Sequence, residues 1–163
     1  MLRIFTSSRD LRFGALMDVY AESNEEKANE RPDLPRGFAL ELAEQDFRQY
    51  LNEVFFPTSG AILALWEMQG KYVCALRLEP YKDGFLLAGL ETHPDQRKKG
   101  YAATLIAAVQ QRMESVKIYS HVNKRNVASL KTHEKCGFRV ISDRAVYING
   151  SVDSRCYTFL YEE

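Results

Sequence analysis

The sequence predicts a mixed α/β fold in which a central sheet is flanked by helices. Leu11, Ala15 and Val19 recur at i, i+4 and i+8, and Ala102, Leu105, Ile106, Val109 and Met113 mark one face of a second helix. Between these stretches, Ala61–Glu67 and Lys71–Leu78 read as strands on either side of Met68-Gln69-Gly70, a hairpin turn.

Taken in order, Leu2–Thr6 is short and mostly apolar, consistent with a first strand. Leu11–Asn29 has helical spacing, and Arg31–Gly37, with two prolines and a glycine, reads as a connecting turn. Phe38–Phe56 regains near-helical spacing until Pro57 stops it, either as one long helix or as a helix and a turn. After the strand pair, Tyr81-Lys82-Asp83-Gly84 is a second turn, cued by Asp-Gly. Phe85–Thr92 is apolar without clean alternation, as expected of a strand covered on both faces. Tyr101–Met113 is the clearest helix, Lys117–Val122 a further strand and Asn126–Cys136 a further helix. Asn126 is placed as its N-cap and Gly137 as the left-handed residue that ends it. Phe138–Ile148 and Ser154–Tyr161 are expected as closing strands joined through Asn149-Gly150. The order is β-α-α-β-β-β-α-β-α-β-β, over one domain spanning residues 1–163.

Composition excludes several classes. An apolar fraction of 45% with 27% charged residues argues against a disordered chain. No apolar run nears the roughly 20 residues that cross a bilayer, and the first ten residues lack a signal-peptide core. Neither a membrane nor a secretory setting is expected. Three cysteines, Cys74, Cys136 and Cys156, lack metal-ligand spacing, so reduced thiols in a cytoplasmic protein are expected, with no metal.

Lysine plus arginine number 22 and aspartate plus glutamate 22, a net charge of zero, which argues against nucleic acid as partner. That zero hides a split. Ala21–Glu53 holds nine acids and four bases, a balance of −5, whereas Arg97–Arg139 holds ten bases and two acids, a balance of +8. The split is either two solvated helical faces or an anion site at one end and a cation-tolerant surface at the other. The acidic front half and the lack of interleaved aromatics also speak against nucleic acid.

Arg97-Lys98-Lys99-Gly100-Tyr101-Ala102 is a basic turn entering a helix. A helix start leaves backbone N–H groups unpaired and its dipole favours an anion there. Gly100 and small Ala102 keep the backbone approachable, so the turn is a credible phosphate cradle, although no Gly-x-x-x-x-Gly-Lys-Ser/Thr occurs. An ordinary solvated turn is the plainer reading of those residues alone.

The segment Leu90-Glu91-Thr92-His93-Pro94-Asp95-Gln96-Arg97-Lys98-Lys99-Gly100-Tyr101-Ala102 resembles motif A of the GCN5-related N-acetyltransferase (GNAT) superfamily, in which a strand precedes Arg/Gln-x-x-Gly-x-Gly/Ala and a helix. Asn126-Val127-Ala128-Ser129-Leu130-Lys131-Thr132-His133-Glu134-Lys135-Cys136-Gly137-Phe138 resembles motif B of the same family. The element order matches the family from end to end, so the resemblance covers nearly the whole chain.

The resemblance implies acetyl-CoA as cosubstrate and an amine of a small molecule or protein as acceptor, joined in a ternary complex by direct attack. The amides of Arg97, Lys98, Lys99, Gly100, Tyr101 and Ala102 would hold the pyrophosphate, with Lys98 and Lys99 adding charge. Leu90 and Thr92, on a strand that splays from its neighbour, would pair with the pantetheine arm, and Asn126 and Ser129 would lie along it. Asn126 as a helix cap is compatible with that contact.

The chemistry needs a deprotonated amine, a stabilised oxyanion and a proton for the departing thiolate. The family usually gives the last task to a motif B tyrosine. His133 holds that position here, either as the acid or as a helix-face histidine bonded to backbone. The carboxylate that many relatives carry on the central strand falls at Ala88 or Gly89. Glu91 is the nearest acid, a candidate base or else an ion-pair or orienting group. These departures keep a non-catalytic acyl-CoA sensor or scaffold as the alternative. The acceptor's identity is open, as is the choice between monomer and homodimer.

Overall fold

The computed structural model describes residues 1–163. Seven strands form one sheet in the order β1-β2-β3-β4-β5-β9-β6, and β7 and β8 form a separate ribbon. These strands are β1 Leu2–Phe5, β2 Ile62–Met68, β3 Lys71–Tyr81, β4 Gly84–Thr92, β5 Lys117–Asn123, β6 Arg139–Ser142, β7 Ala145–Val146, β8 Val152–Asp153 and β9 Cys156–Tyr161. Every pair in the large sheet is antiparallel except β4–β5. Parallel neighbours need a crossover, and α4 (Tyr101–Arg112) supplies it.

The helical stretch expected over Leu11–Asn29 is two helices, α1 Phe13–Val19 and α2 Ala21–Asn29, broken at Tyr20. Tyr20 is buried, and its hydroxyl donates to the carbonyl of Gly89 at 2.5 Å, so tertiary contact overrides the helical period. The stretch ending at Pro57 is α3 Arg36–Tyr50, extended by one π-helical turn, Leu51–Phe55.

The expected hairpin at the C-terminal end is corrected in detail. Phe138–Ile148 is not one strand but β6 and β7, with Asp143 and Arg144 between them. Asn149-Gly150, with Gly150 at φ +83°, turns the small β7–β8 ribbon, while β6 pairs directly with β9 along the sheet edge. The Asn-Gly signal marks a hairpin but does not say how far its arms extend.

Apolar side chains pack on both sheet faces. Leu105, Ile106 and Val109 of α4 meet Leu76, Leu78, Leu87, Ile118 and Val122 on one face. Leu16 and Val19 of α1, with Leu51 and Phe55 after α3, meet Leu63, Leu65 and Ala75 on the other. The helix α5, Val127–Lys135, is capped by Asn126, whose Oδ1 accepts from the Ser129 amide at 3.1 Å, and ends at Gly137 with φ +83°.

Candidate active site

Strands β4 and β5 pair only from Gly84–Leu87 against Lys117–Ser120. Beyond Leu87, β4 turns away from β5, leaving Ala88–Thr92 without a strand partner there, although the Gly89 and Thr92 carbonyls accept from the Tyr20 and Arg97 side chains. The divergence coincides with a bulge: the β3–β4 register slips between Ala75 and Arg77, and Gly89 takes φ +59°. The backbone at Gly89 favours glycine, and a Cβ there would lie 2.7 Å from the Arg77 guanidinium, so the end of that side chain would have to move.

A cavity of about 510 Å³ opens at this divergence. On the α5 side it is lined by Ser120, Asn126, Ser129 and His133. On the opposite side lie Tyr20, Ser23, Phe47, Tyr50, Arg77 and His121, with Leu90 and Glu91 of β4 between the two sets. Alternation along β5 makes this division: Ser120 faces α5, whereas Tyr119 and His121 face the other way.

His133 is fully buried in this wall. Its Nδ1 donates to the Ser129 carbonyl at 2.8 Å, because a carbonyl only accepts. Burial lowers its pKa and the Ser129 bond opposes that only in part, so the ring is neutral with Nε2 as its acceptor. Ser120 donates its hydroxyl to that Nε2 at 2.8 Å.

Glu91 is half-buried at the end of β4. The amide of Ser23 donates to Oε1 at 3.2 Å and the Ser23 hydroxyl donates to Oε2. Burial nevertheless dominates and raises its pKa, with the nearby charge of Glu22 adding to the rise. A carboxylate with a raised pKa facing a cavity is suited to exchanging a proton.

The basic turn lies outside the cavity wall. Gly100, at φ +81°, precedes α4, and the amides of Tyr101, Ala102 and Ala103 make no backbone hydrogen bond; Thr104 is the first to bond back, to Gly100 at 3.0 Å. Lys98 and Lys99 are exposed beside them, and Lys99 bonds Gln96 at 3.0 Å. The Arg97 side chain bends away from the helix start, donating to the Thr92 carbonyl at 3.4 Å and pairing with Glu22 of α2. Thr92 donates its hydroxyl to the Cys74 thiol at 3.4 Å. The structure therefore places Leu90, Glu91, Asn126, Ser129 and His133 around one cavity, with Arg97–Ala102 at the adjacent helix start. Thr92 stands at the end of the strand between them.

Several cavity groups carry no signal in the sequence motifs, Ser120 and Tyr20 among them. Arg77 does carry one: it is a lone charge in the apolar run Tyr72–Leu78, the same criterion that singles out Glu91 on its own strand. The ring of His121 stands edge-on to Tyr81 and Tyr147, with Nε2 buried and unpartnered. Its pKa is lowered by burial and by the charge of Lys82.

No curated protein matches this sequence significantly. The CoA complex of the PaiA N-acetyltransferase from Thermoplasma acidophilum has a similar fold, with a TM-score of 0.67 at 15% identity, covering 100% of this chain and 99% of that one. An aminoglycoside 6′-acetyltransferase of type Ii gives a TM-score of 0.66 at 15% identity, covering 99% and 96%. An N-acetyltransferase from Staphylococcus aureus Mu50 gives 0.65 at 16%, covering 97% and 98%. At these identities the likeness is one of fold. The sequence model of the acetyltransferase (GNAT) family matches residues 16–138, three quarters of the chain and both motif segments, and the chain belongs to that family.

Proposed function

We propose that the chain acts as one N-acetyltransferase domain that moves the acetyl group of acetyl-CoA to an amine. The observation that carries the proposal is the parting of β4 from β5 beside a helix start with three unbonded amides. Unpaired strand edge suits the amide-bearing pantetheine arm, and the free amides with Lys98 and Lys99 suit its pyrophosphate. The bound CoA of the Thermoplasma PaiA structure supports the same cosubstrate.

In this reading the thioester lies along Ala88–Thr92 and the amine enters from the Tyr20 side. Glu91 takes the amine proton as the nitrogen attacks the thioester carbon. The tetrahedral intermediate collapses with loss of the sulfur, which needs a proton. His133 is neutral at rest, so it first takes up a proton at Nε2, which requires the Ser120 hydroxyl to rotate away. The burial that lowers its pKa makes the resulting imidazolium a stronger acid and a ready donor to the thiolate. His133 draws its proton from solvent in the cavity and Glu91 returns the one it took to solvent, so one proton leaves nitrogen, one reaches sulfur and the transfer balances.

The test has two parts. Acetyl-CoA must raise the melting temperature of the purified protein, and a panel of amines must release free CoA thiol. Absence of any stabilisation by acetyl-CoA or CoA would sink the proposal. Stabilisation without turnover on any amine would assign the chain instead to a non-catalytic acyl-CoA sensor, a reading that the fully bonded resting state of His133 favours.

A further inference from the structure

Arg77 is a charge without a counterion. It projects from β3 into the face opposite α5, half-buried, in the cavity wall. Its guanidinium carbon lies 5.4 Å from the Phe47 ring centroid, 5.5 Å from Tyr50 and 5.8 Å from Tyr20. It forms no salt bridge, and its Nε is buried without a hydrogen bond. The two nearby carboxylates are engaged elsewhere: Glu79 accepts from the Tyr50 hydroxyl at 2.9 Å, and Glu91 accepts from Ser23. An arginine stays charged in any protein setting. Three aromatic faces offset part of its desolvation, but a planar fork of donors lining a cavity is matched best by a carboxylate.

The guanidinium rests against Gly89, where β4 leaves β5. Glu91 lines the same cavity two residues further along β4, opposite Ala75, which is two residues from Arg77 on β3. A small molecule carrying both an amine and a carboxylate can present one to each of these two groups in a shared cavity. The geometry points to Arg77 as the docking point for a carboxylate of the acceptor, and so to a free amino acid or close aminocarboxylate as the acceptor class. This rests on the transfer reading above. A developing oxyanion could also meet Arg77, but only in the transition state; a carboxylate neutralises the resting charge.

The test compares α-amino acids with their carboxamides, side chain by side chain, as acceptors. In the best pair the acid should exceed the amide at least ten-fold in kcat/KM. Arg77→Gln should bring the acid down to the rate of the amide through KM, with acetyl-CoA affinity unchanged, and Arg77→Lys should recover part of the preference. Equal rates for acid and amide in the wild-type protein overturn the proposal while leaving the transfer reading intact. So does an Arg77→Gln loss that falls on kcat for both members, which would place Arg77 at the acyl group. If no amine turns over although CoA binds, the transfer reading fails. Calorimetric titration of the CoA-loaded protein with N-acetyl amino acids and their amides then decides Arg77 alone. Preferential binding of the acid, lost in Arg77→Gln, supports the carboxylate site, and equal or absent binding overturns it.

Discussion

The hydroxyl of Ser120 on β5 donates to Nε2 of His133 on α5 across 2.8 Å, while Nδ1 donates to the Ser129 carbonyl. Both ring nitrogens are thus spoken for in one neutral tautomer. A histidine whose pKa is lowered in the fold binds its proton more readily when unfolded, so acid favours the unfolded chain. Its stabilising contribution is complete above the ordinary value of 6.5 and declines as the pH falls below it. Unfolding midpoints in urea should drop between pH 7.5 and 5.5. His133→Phe should flatten that slope without abolishing it, because His121 shifts in the same direction. An unchanged slope would contradict the neutral assignment.

Replacing His133 by phenylalanine should also lower turnover far more than it weakens acetyl-CoA binding. A variant with normal turnover would show that the sulfur obtains its proton elsewhere.

Glu91→Gln removes the proposed proton acceptor but keeps a polar group beside Ser23. The expected loss is about 10²-fold or more near neutral pH, shrinking at high pH, where free amine no longer needs a base. A variant whose pH–rate profile superimposes on that of the wild-type protein would dismiss Glu91 as base.

Two glycines separate backbone strain from steric conflict. Gly100 has positive φ with open space where a Cβ would point, so Gly100→Ala should cost only about 1 kcal/mol of stability, the left-handed penalty. Gly89→Ala adds a 2.7 Å contact with the Arg77 guanidinium to the same penalty, and should cost somewhat more because the end of that side chain must shift. Thermal unfolding of both variants, in which Gly89→Ala must be the less stable, checks this.

Glu22 competes with any anion for Arg97. Both side chains are exposed, so the pair itself contributes about 0–1 kcal/mol. Glu22→Gln should leave the melting temperature nearly unchanged and tighten CoA binding, measured by calorimetry at low salt. Weaker binding would mean that the carboxylate positions Arg97 instead of occupying it.

The parts of this molecule legible in sequence are those decided by neighbours along the chain. The face of α4, the Asn126 cap and the Gly137 stop follow from spacing and backbone preference within a few residues. The break at Tyr20 does not, because a bond to Gly89, 69 residues away, causes it. The extent of the C-terminal strands escapes local reading for a related reason: β6 is defined by its distant partner β9, not by the turn that follows it. In the site, the two segments proposed to hold the cosubstrate stand out because each is contiguous in sequence. The chamber formed by Tyr20, Arg77, Tyr50 and His121 draws on the α1–α2 junction, α3, β3 and β5, so no local pattern announces it. The isolated charge of Arg77 in an apolar strand is the one cue.

The parallel pairing of β4 with β5 has a consequence for how such a protein diversifies. A parallel neighbour obliges the chain to loop back over one face, so the start of α4 falls beside the gap because of connectivity and not because of the residues in the loop. The opposite face is furnished by α1, α2 and α3, which the chain completes before β2 begins. In the transfer reading the cosubstrate segments and the helical part of the acceptor wall thus fall in separate stretches of sequence, with Arg77 on β3, His121 on β5 and the Glu22–Arg97 pair linking them. On that reading, substitutions in the first 56 residues, those at Glu22 apart, can alter which molecule is received without touching the segments proposed to hold the acyl donor.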